Sequence, residues 1–364
     1  MSVGFGPSLI IFSAADSPST SLSSQSDLDV LTAFVTKVCA CDFVLVAALF
    51  LAPQSLDADP TAVEGEVWNN ATTSKHKVFA AAGAWATGGT IPAVHVKAAG
   101  AGTQTAAILF GGLDDDGAAD ESYTYNGTAY TDTGAMANNR QMLGGCGTST
   151  SALGAGGYPV PARGADTEEW DGSSWTETAN LGTARYGVRC AGTQTAALAV
   201  TGHTYPGSET VNVELYNGSS WTEIANVNSS RRQHSAAGTS TAALIAGGNN
   251  GGSDSALVES WNNTAWTEVS DLNTARDALA GDGTSTLALV TGGHATATTN
   301  ITEQWDGSSW TEVADMATAR WGVAGAGTTT AFVAMGGYKP PGNTASDLTE
   351  EFTVAAAVET VAVD

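Results

Sequence analysis

The octapeptide WDGSSWTE stands at residues 170–177 and again at 305–312, with YNGSSWTE at 216 and WNNTAWTE at 261 between the two copies. Eight residues kept at a regular interval mark a repeat array, and a repeat array admits few folds. Aligned on the second aromatic of this element, the positions are Tyr130, Trp175, Trp221, Trp266 and Trp310, separated by 45, 46, 45 and 44 residues. Ten residues further on stand Arg140, Arg185, Arg231, Arg276 and Arg320, and seven residues after each Arg a glycine opens a GTxT run. With the copy at residue 102 there are six such runs, among them GTQTAAILFGG, GTQTAALAVTG and GTSTAALIAGG. Each unit therefore reads as four short strands: the Arg-led segment, the apolar run ending in GlyGly, an acidic-aromatic segment such as TEEW, and WTE. A composition with 43 glycines and only 14% charged residues suits short strands and tight turns. The AspGly, AsnGly and AsnAsn pairs between the two aromatics predict a type I′ hairpin joining the third and fourth strands. A single unit cannot bury both faces of such a sheet, and radial stacking into a β-propeller solves that problem.

Upstream of residue 95 the pattern weakens. VWNN at 67–70 matches SWNN at 260–263, Trp85 lies 45 residues before Tyr130, and CDFVLVAALFLAP at 41–53 aligns with CAGTQTAALAVTG at 190–202. These matches define a degenerate first blade over about residues 34–94, followed by regular blades over 95–364. The expected fold is all-β, a propeller of four-stranded blades, with seven blades favoured and a six-blade ring plus a separate N-terminal segment as the alternative. Residues 1–33 form an attachment or closure segment, with SLIIFS at 8–13 as a candidate closing strand and 14–30 as a connector. The tail LTEEFTVAAAVETVAVD supplies a third strand at Glu350–Val354 and has length for a fourth.

On these residues the repeat resembles the kelch family, whose unit also carries GlyGly after its second strand, an aromatic on its third and a Trp on its fourth. The TxTAAL run and the Arg before each first strand depart from the common kelch form. They make the units similar to kelch-like repeats of marine bacteriophage proteins.

Several function classes are disfavoured by composition. Thirteen Lys plus Arg against 37 Asp plus Glu give a net charge of -24, which repels phosphate backbones and anionic membranes. The ten-residue apolar run FVLVAALFLA is half a membrane span and reads as a buried strand, and MSVGFGPSLIIFSA lacks the basic start of an export signal. Cys39, Cys41, Cys146 and Cys190 form no zinc pattern, and buried thiols are the simpler reading against a disulfide such as Cys41 with Cys190.

A group repeated in every blade serves the blade, whereas a site needs an asymmetric set. Trp175, Trp221, Trp266 and Trp310 are thus assigned to packing. Arg140, Arg185, Arg231, Arg276 and Arg320 are assigned to ties between blades, in preference to an anion-binding ring. The loops after GlyGly differ in every unit, and their first positions, Leu113, Tyr158, His203, Asn249, His294 and Tyr338, are the candidate binding face. No catalytic set and no cofactor are legible. Asp114, Asp115 and Asp116 are a weak metal candidate lacking the alternate spacing of a calcium loop.

The expected function is that of a non-enzymatic bacteriophage virion structural protein: an appendage, fibre or capsid-surface propeller. Its partners would be other virion proteins, met through the N-terminal segment, and a host-surface glycan or protein, with no nucleic acid and no membrane span. The alternatives are a secreted or cell-surface bacterial binding propeller and, remotely, a hydrolase or oxidase.

Overall fold

The structure is a computed structural model that describes residues 55–56, 67–70, 75–159 and 164–360, all of them in strands, turns and loops with no helix. The chain divides into two compact units, residues 1–59 with 67–76, and residues 60–66 with 77–364. In the first unit Ser55–Leu56 pairs in parallel with Val67–Asn70. The second unit is a β-propeller of six four-stranded blades among the described residues.

Blade I is a meander of Ala99–Thr103, Ala106–Phe110, Ser122–Tyr125 and Tyr130–Asp132, each strand antiparallel to the next. Blades II to V repeat this order, with first strands opening at Gly144, Arg189, Ser235 and Ala280. Blade VI takes its inner three strands, Ala324–Gly327, Ala331–Met335 and Thr349–Thr360, from the C-terminal end. Its fourth strand is Lys75–Thr87, which runs antiparallel to Thr349–Thr360 over eleven Cα pairs.

This closure corrects the count of seven blades to six. Trp85 does hold the place of a fourth-strand aromatic, but it completes the last blade instead of a first one. Its ring lies 5.4 Å from Phe352, and the five other blades carry the same pairing of third- and fourth-strand aromatics, as in Tyr125 with Tyr130 at 4.5 Å and Trp170 with Trp175 at 5.6 Å. The physical reason is that a ring has no natural end: a strand from one end of the chain laid into the blade at the other removes two exposed edges at once. The tail accordingly supplies only a third strand, lengthened to Thr360, and VWNN pairs in parallel with Ser55–Leu56. Gly83 permits the seam, because a Cβ there would stand 2.2 Å from the Phe352 ring. The suggested closing strand at 8–13, the apolar run at 43–52 and most of the degenerate blade lie outside the described residues.

The hairpins also differ from the two-residue turns expected. Trp170 pairs with Trp175, leaving four residues in the loop; the Asp171 carboxylate accepts from the backbone N–H groups of Ser173 and Ser174, and Gly172 has φ 93°. An Asx cap with one left-handed residue replaces a type I′ pair. These hydrogen bonds hold the exposed Asp171 carboxyl at about 2.

The six first strands pack side by side around the axis, and the last returns to the first. Glycine and alanine dominate this lining, so the strands approach closely around cavities of about 40 and 60 Å³. These two cavities each have room for a few water molecules.

Between blades, fourth-strand aromatics reach back to the blade before. The Trp175 indole donates to Ser122 Oγ (2.8 Å), Trp221 donates to Thr167 Oγ1 (3.1 Å), and Tyr130 shares a 2.7 Å bond with Thr349 Oγ1. At Trp266 the corresponding residue is Val213, which has no hydroxyl, and the Trp266 Nε1 is left without a partner. Thr167→Val should accordingly orphan Trp221 and cost about 1 kcal/mol in urea denaturation, with Val213→Thr moving stability the other way. Equal stability of Thr167→Val and the parent would show that water serves the indole equally well.

Candidate functional site

The repeated Arg residues sit in the segments that join blades, and each is fully or almost fully buried. The backbone of each belongs to the blade behind: Gly112 N–H donates to Arg140 O (2.7 Å) and Gly157 N–H to Arg185 O (2.9 Å), with the same bond at Arg231, Arg276 and Arg320. Each side chain belongs to the blade ahead, where it meets a third-strand glutamate: Arg140 with Glu168 (2.8 Å), Arg185 with Glu214 (3.1 Å), Arg231 with Glu259 (2.6 Å), Arg276 with Glu303 (2.5 Å) and Arg320 with Glu350 (3.1 Å). The second carboxylate oxygen accepts from a backbone N–H three residues before the Arg, as Ala137 to Glu168 (2.6 Å) and Ala317 to Glu350 (2.6 Å). Burial lowers the pKa of Arg185, Arg231, Arg276 and Arg320, while the facing glutamates oppose that shift. The guanidinium groups are committed to these pairs, so they present no anion-binding ring.

The sixth junction is different. His95 holds the Arg place, accepting from Gly337 N–H (2.8 Å), and Tyr123 holds the Glu place; their rings meet edge-on at 5.4 Å. This aromatic pair lies at the seam where blade I follows blade VI. There the Tyr125 hydroxyl donates to Glu351 (2.5 Å) and the Gln104 amide donates to Phe332 O and Phe352 O (3.2 and 2.7 Å).

The six loop positions singled out in the sequence are brought to equivalent places. Each forms an antiparallel bridge with the residue after the junction Arg or its His95 counterpart: Val96 with Leu113, Gln141 with Tyr158, Tyr186 with His203, Arg232 with Asn249, Asp277 with His294, and Trp321 with Tyr338. Contacts link five of the six sectors into a belt. Tyr158 packs on Tyr186 (5.8 Å), Tyr186 on His203 (5.0 Å), and Arg232 reaches His203 (3.2 Å) and Glu209 (2.6 Å). Further round, His294 meets Trp321 (6.4 Å), Trp321 meets Tyr338 (4.8 Å), and the Lys97 ammonium lies over both of those rings at 5.2 and 5.6 Å. Leu113 and Val96 make the remaining sector apolar. Lys97 is half-buried, and desolvation lowers its pKa against the pull of Asp277. Tyr158 and Tyr205 stand out among the exposed large apolar residues at 45% and 61%.

Sequence reasoning found one half of this belt and missed the other, namely Lys97, Tyr186, Arg232, Asp277 and Trp321. The available signal was the position following the aligned Arg, which runs Gln, Tyr, Arg, Asp and Trp in successive repeats. Beside the belt, an open groove of about 570 Å³ is lined largely by amides and hydroxyls, including Asn228, Ser229, Ser230, Asn250 and Ser255. That volume falls within the range of small-molecule sites.

Other candidates are used structurally. Asp114 spends its carboxylate on the N–H groups of Asp116 and Gly117 (2.8 and 2.9 Å), and the Asp114–Asp116 run gathers no metal-ligating set. His234 is fully buried between Thr201 and Ser235, and burial drives its pKa down to about 3, so it stays neutral. Cys146 and Cys190 are free buried thiols in one apolar cluster; Cys39 and Cys41 lie outside the described residues. No helix among the described residues is long and apolar enough to cross a membrane.

The architecture defines the class: this is a six-bladed β-propeller. No family model matches the sequence, and no curated protein matches it. Among solved structures, one titled "Structure of YjhT" superposes on 73% of this chain and 98% of its own, with a TM-score of 0.60 at 10% identity. At that identity the likeness is one of fold alone.

Proposed function

We propose that this chain is a non-enzymatic recognition propeller of kelch-like repeats. In this reading it is a bacteriophage virion structural protein whose loop face contacts another virion protein or the host surface. The observation that carries the reading is the contrast between junction and belt. Five junctions repeat one buried Arg–Glu pair, whereas the residues one step further on are aromatic, cationic, acidic or apolar by turns. A scaffold held constant while one face varies is the arrangement expected of a binding surface. The belt offers rings with polar edges, which suit sugars and the side chains of a protein partner alike. The placement on a virion rests on the resemblance of the repeats to kelch-like phage proteins and on the acidic, lysine-poor composition.

Two measurements test it. Mass spectrometry and cryo-EM of purified particles should find the propeller attached to capsid or tail with its loop face outward; absence from particles would remove the virion assignment. In a host-adsorption or glycan-array assay, Tyr158→Ala with Tyr205→Ala should weaken binding about tenfold or more, since a binding-face aromatic contributes roughly 1–2 kcal/mol. Binding unchanged by that double substitution would place recognition elsewhere. The second reading, a secreted or surface propeller that binds glycans, is favoured by the amide- and hydroxyl-lined groove, and would be recognised by glycan binding from a protein that no particle contains.

A further inference from the structure

One junction of the belt sets two acids together where its neighbour pairs an acid with a guanidinium. At the junction of blades III and IV, the loop acid Glu209 bridges back to His203 and meets Arg232 at 2.6 Å. One blade on, the equivalent loop acid is Asp254, which bridges back to Asn249, and the position equivalent to Arg232 is Asp277. An acid therefore faces an acid where the previous junction has an acid facing a guanidinium. No Lys or Arg nitrogen of the described residues lies within ion-pair distance of either carboxylate. The third group present is an imidazole: His294 is joined to Asp277 by two backbone hydrogen bonds (2.9 and 2.8 Å), and its Nδ1 lies 4.0 Å from Asp254 Oδ2.

We infer that Asp254, Asp277 and His294 bind one divalent first-row transition cation, zinc being the best match, which takes the place of the missing guanidinium. Donor atoms of the three residues all lie within 4.8 Å of one another. Cis ligands of a bound zinc stand about 3.3 Å apart, so the site closes by a modest swing of side chains. His294 is free to make it, with 47% of its side chain exposed. Asp254 is already oriented, its Oδ1 accepting from the Asn249 amide at 3.2 Å, which leaves Oδ2 for the metal. One imidazole with two carboxylates suits zinc or manganese better than calcium, whose sites are built from oxygen alone. Three protein donors leave at least one coordination position open. The cation would thus be available to a ligand oxygen brought to the belt.

Calorimetric titration of the EDTA-treated full chain with zinc chloride tests this. The expected result is one saturable equivalent, reduced at least tenfold in affinity in both Asp277→Asn and His294→Ala. Asp277→Arg supplies a second, independent readout: it rebuilds the pairing of the preceding junction, so it should abolish that equivalent and raise the melting temperature of the metal-free protein. Absence of saturable zinc binding by the parent chain, or an equivalent that persists undiminished in Asp277→Asn and Asp277→Arg, overturns the assignment. Comparison of parent and variants also removes any contribution from donors elsewhere in the chain, which the substitutions leave intact.

Discussion

Glu168→Ala should destabilise the propeller by about 3–5 kcal/mol, among the largest effects open to a single substitution here. The reason is the burial of its partner. Arg140 and Glu168 are both fully buried, and the substitution removes the carboxylate that meets the guanidinium at 2.8 Å in the gap between two blades. The Ala137 N–H loses its acceptor in the same step. Arg140 would keep its bonds to Gly156 O (2.7 Å) and Asp166 O (2.6 Å). The double variant Arg140→Met, Glu168→Leu should lose markedly less than Glu168→Ala, because both members of the buried ion pair are replaced by apolar groups. Urea denaturation of the three proteins measures this. A loss below about 1 kcal/mol for Glu168→Ala would mean that water reaches the guanidinium, and the pair would then be a surface-like tie.

The second large effect concerns closure. A chain beginning at Gly88 lacks the outer strand of blade VI, and it should fail to give a cooperative thermal transition and elute as aggregate in size-exclusion chromatography. Truncation uncovers the edge of Thr349–Thr360 along eleven paired positions. It also removes Trp85 from between Phe332 and Phe352, which it contacts at 6.3 and 5.4 Å. Loss of a packed Trp alone costs about 3 kcal/mol, and an exposed strand of this length is a template for association. A peptide spanning residues 75–87, added in trans during refolding, should restore monomer. A truncated chain that melts within a few degrees of the parent would show that packing between blades I and VI closes the ring without the strand.

Much of this architecture was legible in the residues alone. Spacing of Trp175, Trp221, Trp266 and Trp310 defined the unit, and the GlyGly steps marked the ends of second strands, because these are local requirements that recur at every blade. The six loop positions from Leu113 to Tyr338 could be named for the same reason: a register repeated six times carries each one to the same place. The junction Arg could be assigned to the blade scaffold by its repetition, but its partner could not. Glutamates occur at several places in each unit, and only the folded register selects Glu168 over Glu169 or Glu177.

What the sequence by itself determined was the period, the strand content of a unit, the variable face and the acidic charge, all properties of one repeat or of their sum. What only the tertiary structure decided was where the ring ends and which unlike residues meet. Trp85 has the same local pattern whether it completes a first blade or the last, and the difference lies in which edge it covers. Lys97 with Trp321, and Asp254 with Asp277 and His294, come together from separate repeats. Their proximity follows from the rotation between blades, which sets distances that no spacing along the chain encodes.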